Sequence, residues 1–476
     1  MRSKRLLRSL LGAVLAAPLL AGAATVSIIN GNAPGVGFND PTPAAPVGGN
    51  NAATVGAQRL AVFTAAAELW GSKLNSDVPI TILATFDPLS CDATSATLGA
   101  AGTMTIWKNF ANAPMADTWY PSALANKLAR ADQLSEPQPD GSEADIIAFF
   151  NADLGQSDCL AGSGFYLGLD GNAPAELIDL YTTVLHEFGH GLGFQALTSG
   201  QTGQRIERTR AIWEFHMYDP LQRKTWAAMS DNERRQSALV PRNLVWNGLT
   251  VTAKSSKVLS MGVPELFVTG AGFNGTLMVG PAQFGPSFEA QPAAGPVAPV
   301  IDQKDGSGLA CAPLDAANAA RVNGRIALVD RGTCAFTVKV RNAQAAGAIA
   351  VLVADNADGT PPPELGGADP LVTIPSGRIT KADGAAIRKT LTSGPAATRS
   401  VSASLYFNAQ KLAGTDVNGR VFLFTPNPYQ PGSSISHWDT LARPNLLMEP
   451  YAEAGQAIAV SSPKDLTLEL LEDIGW

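Results

Sequence analysis

Residues 186–194 spell His-Glu-Phe-Gly-His-Gly-Leu-Gly-Phe. His186 and His190 stand four residues apart, so on a helix their imidazoles lie one turn apart on one face and can reach a single ion. This spacing requires a helix here and requires the rest of the chain to bring further ligand atoms to the same point. Glu187 sits beside the first imidazole, where a carboxylate can take a proton from a water whose pKa a catalytic zinc ion lowers to about 7. Leu177, Leu180, Tyr181, Val184 and Phe188 recur as an apolar stripe with both His roughly opposite it, so 171–194 is expected to be helical. Chance is a poor rival. The 476 residues contain four His (His186, His190, His216 and His437), and the number of such matches expected at that frequency is on the order of 0.003.

A catalytic zinc keeps three protein ligands and one open position. In the compact pattern H-E-x-x-H-x-x-G-x-x-H, Gly193 is in place, but the position of the third His holds Ala196. A compact site is therefore excluded. A later Asp or Glu, His216 and His437 are the remaining candidates. His216 lies in the aromatic stretch Trp213-Glu214-Phe215-His216-Met217-Tyr218, where packing accounts for a lone His. His437 lies in Ser436-His437-Trp438, and Leu447-Met448-Glu449-Pro450 follows shortly after it.

Together these segments resemble the active-site segments of leishmanolysin-type metzincins. Those enzymes carry H-E-x-x-H-x-x-G, a long insertion, an isolated S-H-W or similar, and a Met-turn reading roughly L-M-x-P. The likeness covers these segments and not the whole chain. It implies a zinc ion held by His186, His190 and His437, Glu187 as catalytic base, and Met448 as the Met-turn residue beneath the metal. Tyr451, just past the Met-turn, is a candidate for aiding the transition state.

The N-terminus suggests a compartment. Arg2, Lys4, Arg5 and Arg8 precede an apolar run from Leu10 to about Leu20, and then Ala21-Gly22-Ala23-Ala24. This is the layout of a secretory signal peptide, assigned to residues 1–23, with a core too short to span a bilayer comfortably. No later apolar run reaches the roughly 18 residues of a spanning helix. An exported protein, extracellular or periplasmic, is expected, with no membrane contact once the signal is removed. Four Cys in an oxidising compartment suggest two disulfides, and sequence order favours Cys91–Cys159 and Cys311–Cys334 among three pairings. A net charge of −7, from 34 basic and 41 acidic residues, argues against a nucleic-acid partner.

Periodicity places the elements. Leu60, Phe63, Ala67, Trp70 and Leu74 predict a helix, Ile80, Ile82, Ala84 and Phe86 a strand, and Asp145–Phe150 another strand. Residues 205–245 suggest polar helix, with Arg234-Arg235 on a solvated face. From about residue 265 the chain turns dense in Gly, Ala and Pro. Apolar runs Arg325–Asp330 and Ala348–Ala354 flank Phe336, Val340 and Ala343 at helical spacing, which is a βαβ signal. Gly324–Phe336, with Lys339-Val340 and Ala345–Ala348, resembles a protease-associated (PA) domain, a module without catalytic residues that is credited with substrate or partner contacts.

The expected class is α+β: a metzincin-type zincin catalytic domain interrupted by an α/β PA domain. The expected division is metallopeptidase at 24–265, PA domain at 266–405, and metallopeptidase again at 406–476. The last part holds the third His, the Met-turn and a terminal helix opened by Ser462 and Pro463. The combination resembles bacterial secreted PA-containing metallopeptidases and implies an exported zinc endopeptidase acting on proteins or peptides. Two alternatives stand beside it: a secreted PA-domain binding protein on an inactive zincin scaffold, and an exopeptidase. One Zn²⁺ is the expected cofactor. Asp and Asn are plentiful in the loops, but no spacing assigns Ca²⁺.

Overall fold

A computed structural model describes residues 22–476 except 135–143, 271, 305, 394–398, 453–455 and 457. The expected signal peptide falls almost wholly outside the described residues. No described helix is long and apolar enough to cross a membrane.

The first sheet comprises β1 (Val26–Asn30), β2 (Ile80–Asp87), β3 (Gly99–Thr103) and β4 (Ile146–Asn151), in the order β1-β2-β4-β3. β1, β2 and β4 run parallel, whereas β3 is antiparallel to β4 and ends the sheet. The period of two expected for β2 is present: Ile80, Ile82, Ala84 and Phe86 are buried and the residues between them half-buried. Helix α1 (Val55–Lys73) begins where the Thr54 hydroxyl accepts from the Ala57 amide at 3.2 Å. It buries Val62, Phe63, Ala66, Ala67 and Trp70, while Leu60 at the margin of the stripe is exposed.

Helix α2 (Leu180–Leu192) carries the His pair. The Trp70 indole of α1 donates to Leu185 O at 3.2 Å, and Phe63 meets both Phe150 and Phe188 edge-on. The helix is shorter than its periodicity suggested. Asp179 caps it, accepting from the Thr182 amide at 2.7 Å, and the preceding Ile178–Asp179 pairs as strand with Phe165–Tyr166. Nor is its apolar stripe one-sided. α2 packs against both α1 and the sheet, so Glu187 and His190 are buried along with Val184 and Phe188.

Residues 205–245 are not one polar helix. They fold as short turns and two-to-three-residue strands, with an α-helix only at Asp231–Ser237. Arg234 is fully buried, not solvated: Nε donates to Gly203 O at 2.7 Å and Nη1 to the carbonyls of Trp226 and Met229. A guanidinium carries five donors, and here it satisfies three loop carbonyls that have no strand partner. Arg235 is exposed.

The second sheet has eight strands: β5 (Met261–Gly270), β6 (Phe273–Leu277), β7 (Gly280–Pro281), β8 (Ala293–Pro299), β9 (Ile326–Asp330), β10 (Ala350–Ala354), β11 (Ser376–Ile379) and β12 (Ser402–Leu412). Their order is β6-β5-β12-β8-β9-β10-β11-β7. β8 to β11 are parallel, with α3 (Ala316–Val322) between β8 and β9 and α4 (Phe336–Ala345) between β9 and β10. The expected βαβ unit is thus β9-α4-β10. Alternation divides its residues between two apolar cores: Ile326 and Leu328 face one, Ala327 and Val329 the other. A third core belongs to the first sheet. It is built from residues up to Leu259 and resumes at Val421.

The chain ends in α6, after α5 (Lys381–Thr392). α6 (Thr467–Ile474) begins four residues later than Ser462-Pro463 suggested, because the Asp465 carboxylate takes the Thr467 amide at 2.6 Å. Leu466, Leu470 and Ile474 are buried as their spacing predicts. Cys91–Cys159 and Cys311–Cys334 are both disulfide-bonded.

Candidate metal centre

Three imidazoles converge at the C-terminal end of α2. His190 Nε2 lies 3.1 Å from His186 Nε2, and His437 Nε2 lies 3.2 Å from each of them. Among the described residues this is the group of three or more His, Cys, Asp or Glu side chains disposed to hold a metal ion. The fourth His is elsewhere: the His216 ring stacks on Trp246, with ring centres 5.0 Å apart.

Each ring is oriented through its other nitrogen. His186 Nδ1 donates to Leu447 O at 2.7 Å, His190 Nδ1 to Phe194 O at 2.7 Å and His437 Nδ1 to Ser433 O at 2.8 Å. Carbonyls only accept, so all three protons sit on Nδ1 and all three Nε2 atoms carry lone pairs. Three facing acceptors repel one another unless a cation lies between them. The spacing suits one: zinc–nitrogen bonds of about 2.0–2.1 Å put tetrahedral neighbours about 3.3–3.4 Å apart. Burial favours the neutral, ligating form. It lowers His186 to about 4, His190 to about 3 and His437 well below its ordinary value.

Glu187 faces the edge strand. Its carboxyl group lies against β3: a Cβ at Gly99 would lie 2.8 Å from Glu187 Cγ. Burial pushes the carboxyl up to about 8. Gly193, at φ +126°, ends α2 by leaving the right-handed region, which sends Phe194 back under the helix to present its carbonyl to His190.

Met448 is fully buried against α2. A Cβ on Gly189, between the two His, would meet its sulfur at 2.8 Å. Trp438 N donates to Met448 O at 2.8 Å, which joins the His437 segment to the Met448 segment. Tyr451 is exposed, and its hydroxyl meets Gln430 Oε1 at 3.2 Å.

Several contributors had no sequence signal. The three carbonyl acceptors are backbone atoms. Asp465 is buried and accepts from the Leu447 amide at 2.7 Å, holding the residue whose carbonyl orients His186. Burial pushes the Asp465 carboxyl up to about 6.

Residues 293–387 match the PA domain family, so the chain contains a PA domain. Vacuolar-sorting receptors 3 and 4 of Arabidopsis thaliana are each 47% identical over 75 residues, which is 14% of this chain and 12% of theirs. The chain thus matches about an eighth of the length of these curated relatives. Among solved structures, an aminopeptidase from Aneurinibacillus sp. strain AM-1 is 21% identical, covers 34% of this chain and 43% of its own, and has a TM-score of 0.23. A zinc aminopeptidase from Bacillus subtilis is 27% identical, covers 34% and 36%, and has a TM-score of 0.21. Scores this low carry no argument about activity.

Proposed function

We propose that this chain is an exported, zinc-dependent endopeptidase of the leishmanolysin-like metzincin type. Its catalytic domain spans 24–265 and 406–476, and the PA-containing insert spans 266–405. The convergence of His186, His190 and His437 on one point, each with its Nδ1 proton already satisfied, carries this reading. When bound, zinc supplies Lewis acidity for polarising a peptide carbonyl and activating water.

The chain's own groups supply the rest. The three imidazoles offer neutral donors held in place before an ion arrives. Glu187 Oε takes a proton from the attacking water and passes it to the leaving amine nitrogen. A nearby dication favours the carboxylate form that burial alone disfavours. β3 ends its sheet beside Glu187, and extended peptides add to such edges through main-chain hydrogen bonds. A five-residue edge suits a substrate that continues on both sides of the cleaved bond, which supports an endopeptidase.

Glu187→Ala tests the reading. The variant should bind zinc as the parent does and lose about 10²- to 10⁴-fold in hydrolysis, the usual worth of a positioned general base. Mass spectrometry of the parent's products should show internal cleavage. Retained activity in the variant would remove Glu187 from its role, and stepwise release of terminal residues would favour an exopeptidase.

A further inference from the structure

The insert is tied to the segment bearing the third imidazole. The tie runs through one loop, residues 360–365, anchored to β7 of the second sheet: Leu365 N donates to Pro281 O at 3.1 Å and Gln283 N to Leu365 O at 3.0 Å. From there the loop reaches across at two points. Thr360 and Asn427 exchange both backbone hydrogen bonds, each 2.8 Å long. The Glu364 carboxylate pairs with the Arg443 guanidinium, whose other nitrogen donates to Thr440 O, Ala442 O and Asn445 Oδ1.

Those two points bracket His437. From Asn427 the chain runs back through Phe424, whose amide donates to His437 O at 2.8 Å and whose carbonyl takes the Ile435 amide at 2.7 Å. Asp439 N donates to Phe422 O at 2.9 Å. On the other side Arg443 organises the turn leading to Leu447 and Met448, and its own carbonyl accepts from Ser260 N at 2.7 Å, where the chain enters the insert. Residues 421–427 and 435–443 therefore form one small frame around the imidazole, and the insert holds both of its ends.

We propose that the loop 360–365 of the insert positions the third metal ligand, with Thr360 and Glu364 as positioning residues for His437. The insert is then neither a passive spacer nor only a substrate-contact module, because part of the metal site's preorganisation resides in it. The inference rests on the reading of the three His as zinc ligands. Binding events on the insert that move this loop would be felt as a change in zinc affinity.

The test is the zinc dissociation constant of the full chain, measured by competition with a chromophoric chelator, for the parent and for Glu364→Ala, Thr360→Pro and Asp358→Ala. Proline at 360 removes the amide that donates to Asn427. Asp358, just before the loop, pairs with the exposed Lys381 and serves as the control. Melting of each metal-free protein is recorded in parallel, to separate lost fold from lost ligand placement. Glu364→Ala and Thr360→Pro should each weaken zinc binding by about tenfold, the lower end of what outer-shell changes produce, with Asp358→Ala staying within about twofold. Unchanged zinc affinity in both variants, with or without a lower melting temperature, would overturn the positioning role. A parent chain that binds no zinc would instead overturn the zinc reading itself, and this inference with it.

Discussion

At the scale of residues, two imidazoles and a carboxylate were legible because their spacing is a statement about one helix. The third imidazole of the cluster was not legible that way. His216 and His437 each have an aromatic residue close by in sequence, and local composition does not separate a ring stacked on Trp246 from one facing two other imidazoles. Only the resemblance singled out His437. The two residues should therefore behave oppositely. His437→Ala should weaken zinc binding by at least 10²-fold, because a closed set of three donors drops to two, whereas His216→Ala should change it by less than about threefold. Metal affinity measured by chelator competition decides this, and the reverse ranking would contradict the ligand set. The carbonyls of Leu447, Phe194 and Ser433 were beyond reach of any sequence reading, since a backbone acceptor has no residue identity.

At the scale of elements, legibility followed periodicity. α1, β2 and the β9-α4-β10 unit were readable because one face of each meets a core and the pattern records it. Residues 205–245 were misread because no core-facing period exists there. Arg234 does structural work from inside, and an arginine looks the same in sequence whether it caps carbonyls or meets water. The starts of α2 and α6 were placed too early because Asp179 caps α2 and the Asp465 carboxylate takes the first amide of α6. The fit of α2 on its sheet makes a sharp prediction. A Cβ on Gly191 would lie 2.2 Å from Ile146 Cγ2, and both residues are buried. Alanine improves helix propensity by about 1 kcal/mol, but overpacking a stiff β-branched neighbour costs about 1–3 kcal/mol. Gly191→Ala should therefore lose up to about 2 kcal/mol in denaturant unfolding. A gain in stability would mean that α2 and β4 are not this close.

At the scale of the whole molecule, an α/β insert interrupts the part of the chain built on the first sheet, and each part keeps its own disulfide. Peptide mapping without reduction should recover Cys91 joined to Cys159 and Cys311 joined to Cys334; a linkage between the two pairs would refute the division. The PA match covers 293–387, yet β5 and β12 belong to the same sheet, so the structural unit extends past the family's limits on both sides. His186 and His437 are 251 residues apart in sequence, and their rings meet only because the chain returns after the insert. The most direct measurement is the metal content of the purified chain together with its digestion of an unfolded protein, with and without chelator. One zinc per chain is predicted, with hydrolysis that stops on chelation and returns when zinc is restored. A chain that holds no zinc, or one that hydrolyses peptide bonds equally well with the metal stripped away, would contradict the account.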